Sequence, residues 1–304
     1  VSAVEANTGV TGAAPPPLVA ITHLDDLWFQ AGGTLCNFTC LHCFISCSPH
    51  NRSFRFLTLQ ELRRYLAESV PLGVKEYYFT GGEPFLNPDL VPMLAETLGY
   101  GPATVLTNAS VLRDAWLQEL ADAERGSVYS LEFRVSLDGF SAESNDAIRG
   151  PGTFERTMEG LGRLAAYGFL PLITAVRTWP IEEEPAVLDG FRRLLRRRGI
   201  ARPRFKVLPP LRLGAEVQRT GGYAADERVT AEMLEVLGTS HLPCEHSRIV
   251  TDRGVHVCPI LIAAADSLLG DTLAEALVPY RLRHGACHTC VLSHNLCANP
   301  TAGR

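Results

Sequence analysis

A chain of 304 residues, 46% hydrophobic and 20% charged, can bury a substantial core and fits one barrel-sized domain with an appendage. Its net charge of −5 excludes the strongly basic face of a nucleic-acid binder, and no apolar run reaches the ~18 residues of a membrane span. Without a signal-peptide pattern at its start, a cytoplasmic protein with no nucleic-acid or membrane partner is expected.

Residues 1–26, with "TGAAPPPL", read as a loose arm. From Leu27 a rhythm begins in which apolar runs alternate with amphipathic stretches. Strands are expected at "LWFQAG" (27–32), "EYYFT" (76–80), "ATVLT" (103–107), "LEFRVSL" (131–137), "LPLITAV" (170–176) and "RPRFKVL" (202–208). Helices are expected between them at 58–70, 88–99, 111–123, 153–168 and 185–198. The first opens with a capping box, Thr58 and Glu61, and the fourth ends at Gly168. The basic run Arg192 to Arg198 covers the solvated side of the last helix.

Repeated βα alternation implies a parallel sheet with right-handed crossovers and helices outside it. Six units suggest an α/β chain folded as a partial, open (β/α)6 TIM-like barrel over 27–212. Reactive groups then belong in loops after the carboxyl ends of the strands. Beyond residue 212 the rhythm stops. A hairpin, "RIVT" and "VHVC" around "DRG", leads to a short helical piece and a cysteine-rich tail, giving a small C-terminal domain over 213–304.

Nine cysteines, an odd number, argue against a disulfide scaffold. They fall into two groups, so two metal sites are expected. In the first, Cys36, Cys40 and Cys43 have the spacing C-x3-C-x2-C, directly after the first strand. Zinc sites present paired C-x2-C knuckles or add histidines. A cubane [4Fe–4S] cluster takes four ligands; with three from protein, one iron stays open to bind something else. Cys47 reads as a small packed residue.

These residues resemble the radical S-adenosylmethionine (SAM) superfamily, whose hallmark is C-x3-C-x2-C after the first strand of a partial (β/α)6 barrel. The resemblance extends to "CN" (Cys36, Asn37), to "TGGEP" (Thr80 to Pro84) and to "VSLDG" with "IRGPGTF", the last two as in the SPASM/twitch branch. It implies a SAM-binding [4Fe–4S] cluster on Cys36, Cys40 and Cys43, with Gly81, Gly82, Glu83 and Pro84 holding the methionyl ammonium. Ser136 and Arg149 resemble positions contacting ribose and carboxylate, and Asn108 ends strand three at the same mouth. The residue before the third cysteine, usually aromatic and near the adenine, is His42, whose ring can still stack and hydrogen-bond.

Cys244 and Cys258 (C-x9-G-x3-C), then Cys287, Cys290 and Cys297 (C-x2-C-x6-C), resemble a twitch or SPASM domain with each half one residue off pattern. A full SPASM domain has more cysteines and two auxiliary clusters, so one auxiliary [4Fe–4S] cluster is implied on Cys244, Cys258, Cys287 and Cys290, with Cys297 as substitute. A zinc-stapled hairpin, using four thiolates or three thiolates and an imidazole from His246, His256, His288 or His294, is the alternative.

The implied activity is reductive cleavage of SAM to a 5′-deoxyadenosyl radical that abstracts hydrogen from a substrate C–H bond, fed by a flavodoxin- or ferredoxin-type donor. A small-molecule substrate, such as an aminocyclitol or another natural-product intermediate, is favoured because few residues precede the first strand. A ribosomal-peptide maturase is the alternative, and a non-catalytic zinc-binding protein is a third reading. Arg177, Lys206 and Arg212 are candidates for the mouth by position.

Overall fold

The computed structural model describes residues 14–293. After a two-residue strand β1 (Leu18–Val19), six strands follow: β2 (Asp26–Gly32), β3 (Glu76–Gly81), β4 (Ala103–Thr107), β5 (Leu131–Ser136), β6 (Leu172–Val176) and β7 (Arg204–Leu208). They pair in chain order, all parallel. Helices α1 (Leu59–Ser69), α2 (Leu90–Thr97), α3 (Asp114–Arg125), α4 (Ala142–Arg149), α5 (Thr153–Ala166) and α6 (Glu184–Arg197) make the crossovers. Thr58 and Glu61 close the expected capping box on α1.

Strand residues alternate between two faces. One row, including Phe29, Phe79, Val105, Phe133 and Ile173, packs beneath the helices as the main core, each aromatic there contributing roughly 1.5–3 kcal/mol of burial. The other row, including Trp28, Tyr78, Leu106 and Leu208, faces inward. That alternation places polar and apolar inner residues around one mouth.

The remainder of the described chain contributes α7 (Val217–Thr220), α8 (Ala231–Leu237), α9 (Pro243–His246), β8 (Ser247–Thr251), β9 (Gly254–His256), β10 (Leu268–Gly270), β11 (Tyr280–Arg281) and α10 (Gly285–Ser293). The expected hairpin forms as β8 and β9. It does not stand alone: β8 lies parallel to β2, with Trp28 opposite Ile249. The result is one nine-stranded sheet, β10-β9-β8-β2-β3-β4-β5-β6-β7, open at both ends. β1 pairs antiparallel with β11 and ties the described end of the arm to the same region. No helix among the described residues is long and apolar enough to cross a membrane.

Helix α4 was not expected, because "SAESNDAIR" has little apolar periodicity. Its signal is the cap: Ser141 accepts from the Ser144 amide, and Ser144 returns a bond to the cap backbone.

Candidate active site

The loop after β2 gathers four thiols. Cys36, Phe38 and Cys47 pack as a small buried cluster with Cys40 and Cys43 against it. The amide of Phe38 points at Cys36 Sγ (3.4 Å), the amide of Cys47 donates to Cys43 Sγ (3.2 Å), and Asn108 Nδ2 lies 3.9 Å from Cys36 Sγ. Burial pushes the Cys36 thiol up to about 12 and the Cys40 thiol up to about 11. Cys43 is drawn down to about 6, first by the Cys47 hydrogen bond. Cys47, as that bond's donor and by its burial, is pushed far above the usual thiol range.

Asn37 fastens the loop to the end of β4. Asn108 Nδ2 donates to Asn37 Oδ1 (2.9 Å), and Asn37 Nδ2 donates to the Ser110 hydroxyl (2.8 Å). The double glycine seats the same loop. A Cβ on Gly82 would fall 2.0 Å from the Leu35 carbonyl oxygen, and Gly81 has φ of +139° with Gly32 backbone 2.7 Å from its would-be Cβ. The amides of Gly82 and Glu83 donate to the carbonyls of Gly33 (3.0 Å) and Leu35 (2.9 Å). The backbone admitted by these glycines is therefore the cysteine loop's own.

Glu83 is fully buried. Its Oε1 accepts from Phe85 N (3.1 Å) and Thr107 Oγ1 (2.7 Å), and its Oε2 accepts from Asn108 N (2.8 Å). A carboxylate has about four acceptor positions, so three are committed to joining the ends of β3 and β4. Pro84 is buried and starts a single 3₁₀ turn, Pro84–Leu86.

On the far side of the mouth, Asp138 collects a guanidinium and an imidazole. Arg149 Nε lies 2.6 Å and His42 Nε2 2.5 Å from its Oδ2, and the Val176 amide donates to Oδ1 at 2.7 Å. Burial alone would raise the Asp138 carboxyl, but Arg149 and His42 outweigh it and hold it well below the usual range. The arginine also approaches Cys40 Sγ through Nη1 (4.0 Å). His42 Nδ1 is buried and has no hydrogen-bond partner. Ser136, half-buried, ends β5 beside Thr174. Asp138 lies within the VSLDG stretch but was given no role there; its position two residues after a strand's carboxyl end was the available signal.

The loop opens on a cavity inside the barrel, lined by His42, Trp28, Arg134, Thr174 and Lys206 among others. Arg177 and Arg212 point elsewhere, to Glu184 and Glu227.

Residues 32–189, more than half of the chain, match the Radical SAM superfamily. The chain belongs to that superfamily. A GTP 3',8-cyclase from Picosynechococcus is 34% identical over 51% of this chain and 48% of its own length. The mycofactocin maturase MftC of Mycobacterium tuberculosis is 30% identical over 64% of this chain and 47% of its own. The matches thus span about half the length of these curated relatives. Streptococcus suis SuiB bound to S-adenosylmethionine superposes with a TM-score of 0.61 at 17% identity, over 81% of this chain and 63% of SuiB. anSMEcpe with bound AdoMet and a peptide gives 0.59 at 16% identity, over 83% and 79%. The fold is that of the radical SAM partial TIM barrels of the SPASM/twitch type, an α/β sheet that does not close.

In this radical SAM chain the second cysteine group also converges. Cys244, Cys258, Cys287 and Cys290 line one small apolar cavity whose other walls include Leu242, Val257, Ile260 and Leu282. Burial raises all three of the enclosed thiols, Cys244, Cys258 and Cys287, the last to about 12. Arg248, fully buried, spends its guanidinium on the carbonyls of Cys244, Ser247, Ala276 and Val278. Two imidazoles of the zinc alternative are turned away: His246 pairs with Asp26 (3.1 Å), and His256 lies between Thr251 and Ser267. Among the described residues, no three Cys, His, Asp or Glu side chains are arranged to grip a single metal ion; a cubane takes its thiolates at separate corners. Cys297 and His294 lie outside the described residues.

Proposed function

We propose that this radical SAM enzyme holds a SAM-binding [4Fe–4S] cluster on Cys36, Cys40 and Cys43 and removes hydrogen from a C–H bond of a substrate seated in the barrel cavity. The observation that carries the reading is the three-thiol loop at the carboxyl end of β2. The backbone amide of the fourth cysteine, Cys47, donates to Cys43 Sγ, and three protein thiolates on a four-iron cubane leave one corner for a non-protein ligand. When bound, SAM and its cluster supply a primary carbon radical that takes hydrogen from unactivated carbon.

The chain's own groups prepare the mouth. Glu83 offers a carboxylate to an ammonium, and the guanidinium of Arg149 offers a planar donor fork to a carboxylate. Asp138 orients Arg149 and His42. Ser136 and Asn108 complete the rim, and the apolar cavity wall excludes water. Cys244, Cys258, Cys287 and Cys290 carry one auxiliary [4Fe–4S] cluster, supported by their shared apolar cavity. We assign 27–212 to the barrel and 213–304 to a twitch-like unit continuous with its sheet. A flavodoxin- or ferredoxin-type protein supplies the electron. Clusters and unpaired thiols of this kind belong in a reducing cytoplasm.

The largely apolar cavity with a few polar groups on its wall is open to a small molecule or to one side chain of a larger one. A small-molecule oxidation or rearrangement is one reading. A peptide substrate is the other, favoured by the likeness to MftC and to structures solved with precursor peptide or peptide bound. Anaerobic reconstitution followed by reduction with dithionite tests the common core: methionine and 5′-deoxyadenosine are expected, and their absence with a loaded cluster overturns it.

A further inference from the structure

We propose that residues 211–223, the strap leading from β7 into the C-terminal unit, tie the two cysteine groups together. Gly214 and Tyr223 are then positioning residues that set where Cys43 stands relative to α10. This rests on the radical SAM reading of the first group and adds a link to the second.

The strap grips the first cysteine loop by its backbone. The amides of Ala215 and Ser46 both donate to the Cys43 carbonyl oxygen, each at 3.0 Å, so both acceptor positions of that oxygen are taken. Gly214 lets the strap come this close. Its φ is +54°, and a Cβ there would fall 2.4 Å from the Phe44 carbonyl oxygen and 2.8 Å from that of Cys43. The turn around it is braced: the Leu213 amide donates to the Leu211 carbonyl (2.8 Å), and the Glu216 amide donates to the Leu213 carbonyl (3.1 Å). Glu216 is fully buried and accepts from Arg219 Nε at 2.9 Å.

The other end of the strap grips α10. The Arg212 amide donates to the Tyr223 hydroxyl oxygen (3.3 Å), and that hydroxyl meets Thr289 Oγ1 at 2.9 Å. Thr289 lies between Cys287 and Cys290 on α10. A Cβ on Gly285, the first residue of that helix, would fall 2.3 Å from Tyr223 Cγ, so the ring rests directly on the helix start. The Arg212 guanidinium covers the ring at 4.4 Å and pairs with Glu227. Leu211, Leu213, Tyr223 and Ile45 of the cysteine loop all pack against the core cluster that contains Cys244, Cys258 and Cys287.

Three hydrogen bonds and one tight turn therefore run from the residue between two auxiliary thiols to the carbonyl of Cys43. Packed chains of contacts of this kind carry coupling between sites. Breaking one link leaves a half-buried polar group unmet, which is costly. A shift of α10 is thus passed to the Cys43 backbone and to its Sγ.

The test uses protein loaded with iron and sulfide at both sites. Tyr223→Phe keeps the ring on Gly285 and removes the hydroxyl. Thr289→Val breaks the same bond from the α10 side and serves should the tyrosine variant not fold. Both should keep the wild-type iron content. Hydrogen exchange over residues 43–47 and 213–217, read by mass spectrometry, should quicken about threefold or more, and SAM should bind about threefold or more weakly by equilibrium dialysis. Cys244→Ala, which empties the auxiliary site, should produce both changes. Adding Tyr223→Phe to it should produce little more, because effects that share one path do not add. Unchanged exchange at 43–47 in Tyr223→Phe, or effects of Tyr223→Phe and Cys244→Ala that simply add, overturn the proposal. Loaded wild-type protein that binds no SAM removes the radical reading instead, and the same exchange cycle still decides the strap.

Discussion

Arg149 Nε sits 2.6 Å from Asp138 Oδ2, with the two side chains 8% and 0% exposed. His42 reaches the same oxygen, so one buried carboxylate holds both side chains at the mouth. Removing it strands them. Asp138→Ala should lower the stability of the folded chain by about 3–5 kcal/mol, as expected for breaking a buried pair from one side. Urea titration checks this, and an unchanged midpoint would show that the pair is not formed.

The two cysteine groups should load independently. Wild-type protein reconstituted anaerobically should hold about eight iron atoms per chain, and Cys36→Ala, Cys40→Ala or Cys43→Ala about four. Those variants should also lose SAM cleavage. Cys244→Ala should drop to the same iron content while retaining cleavage. Cys47→Ser should keep all of its iron. An iron loss for Cys47→Ser equal to that of Cys43→Ala would make Cys47 a ligand and remove the open corner.

Gly82→Ala tests whether the double glycine serves the loop. The new methyl would meet the Leu35 carbonyl oxygen at 2.0 Å, a backbone atom that cannot swing aside. A loss of about 2 kcal/mol or more is expected from such overpacking, together with poor cluster loading at normal helical circular dichroism. Full loading would mean that the loop can move without consequence.

Burial pushes the Glu83 carboxyl up to about 7 in spite of its three hydrogen bonds. Its ordinary value is about 4.3, so between those limits the folded chain keeps a proton that the unfolded chain has released. Glu83 therefore makes stability fall as pH rises from about 4.5 to about 7, by about 3 kcal/mol, and then level off. Glu83→Gln should lose this slope. It should also be less stable by about 1–3 kcal/mol, because its new N–H₂ faces groups that donate. Parallel stability curves for the two proteins would contradict the raised value.

Much of this was legible in the residues. The six parallel strands follow from apolar runs such as "EYYFT" and "ATVLT", and the cysteine loop lies where βα order predicts chemistry. Less legible was what each motif residue does. Gly81, Gly82 and Glu83 suggest ligand contact, yet most of their bonding is internal. A carboxylate between two strand ends finds backbone amides before it finds a ligand. Asp138 escaped because a lone acid in a turn has no periodicity, and its value comes from Arg149 and His42, distant in sequence. Trp28 and Thr174 were hidden by their strands: both sit in apolar runs, and only the alternation of faces reveals that they point inward. The pairing of β8 with β2 joins segments about two hundred residues apart, beyond what local pattern can convey.

That pairing makes the rear of the chain an unsuitable place to cut. Every residue of β2 is buried, and β8 covers the hydrogen-bonding edge that β2 would otherwise offer to solvent. A version stopped before residue 240 would keep its three-thiol loop but bare a flat, apolar strand, the kind that recruits other chains and precipitates. Insoluble truncations would thus report a missing neighbour, and say nothing against the chemistry of the loop.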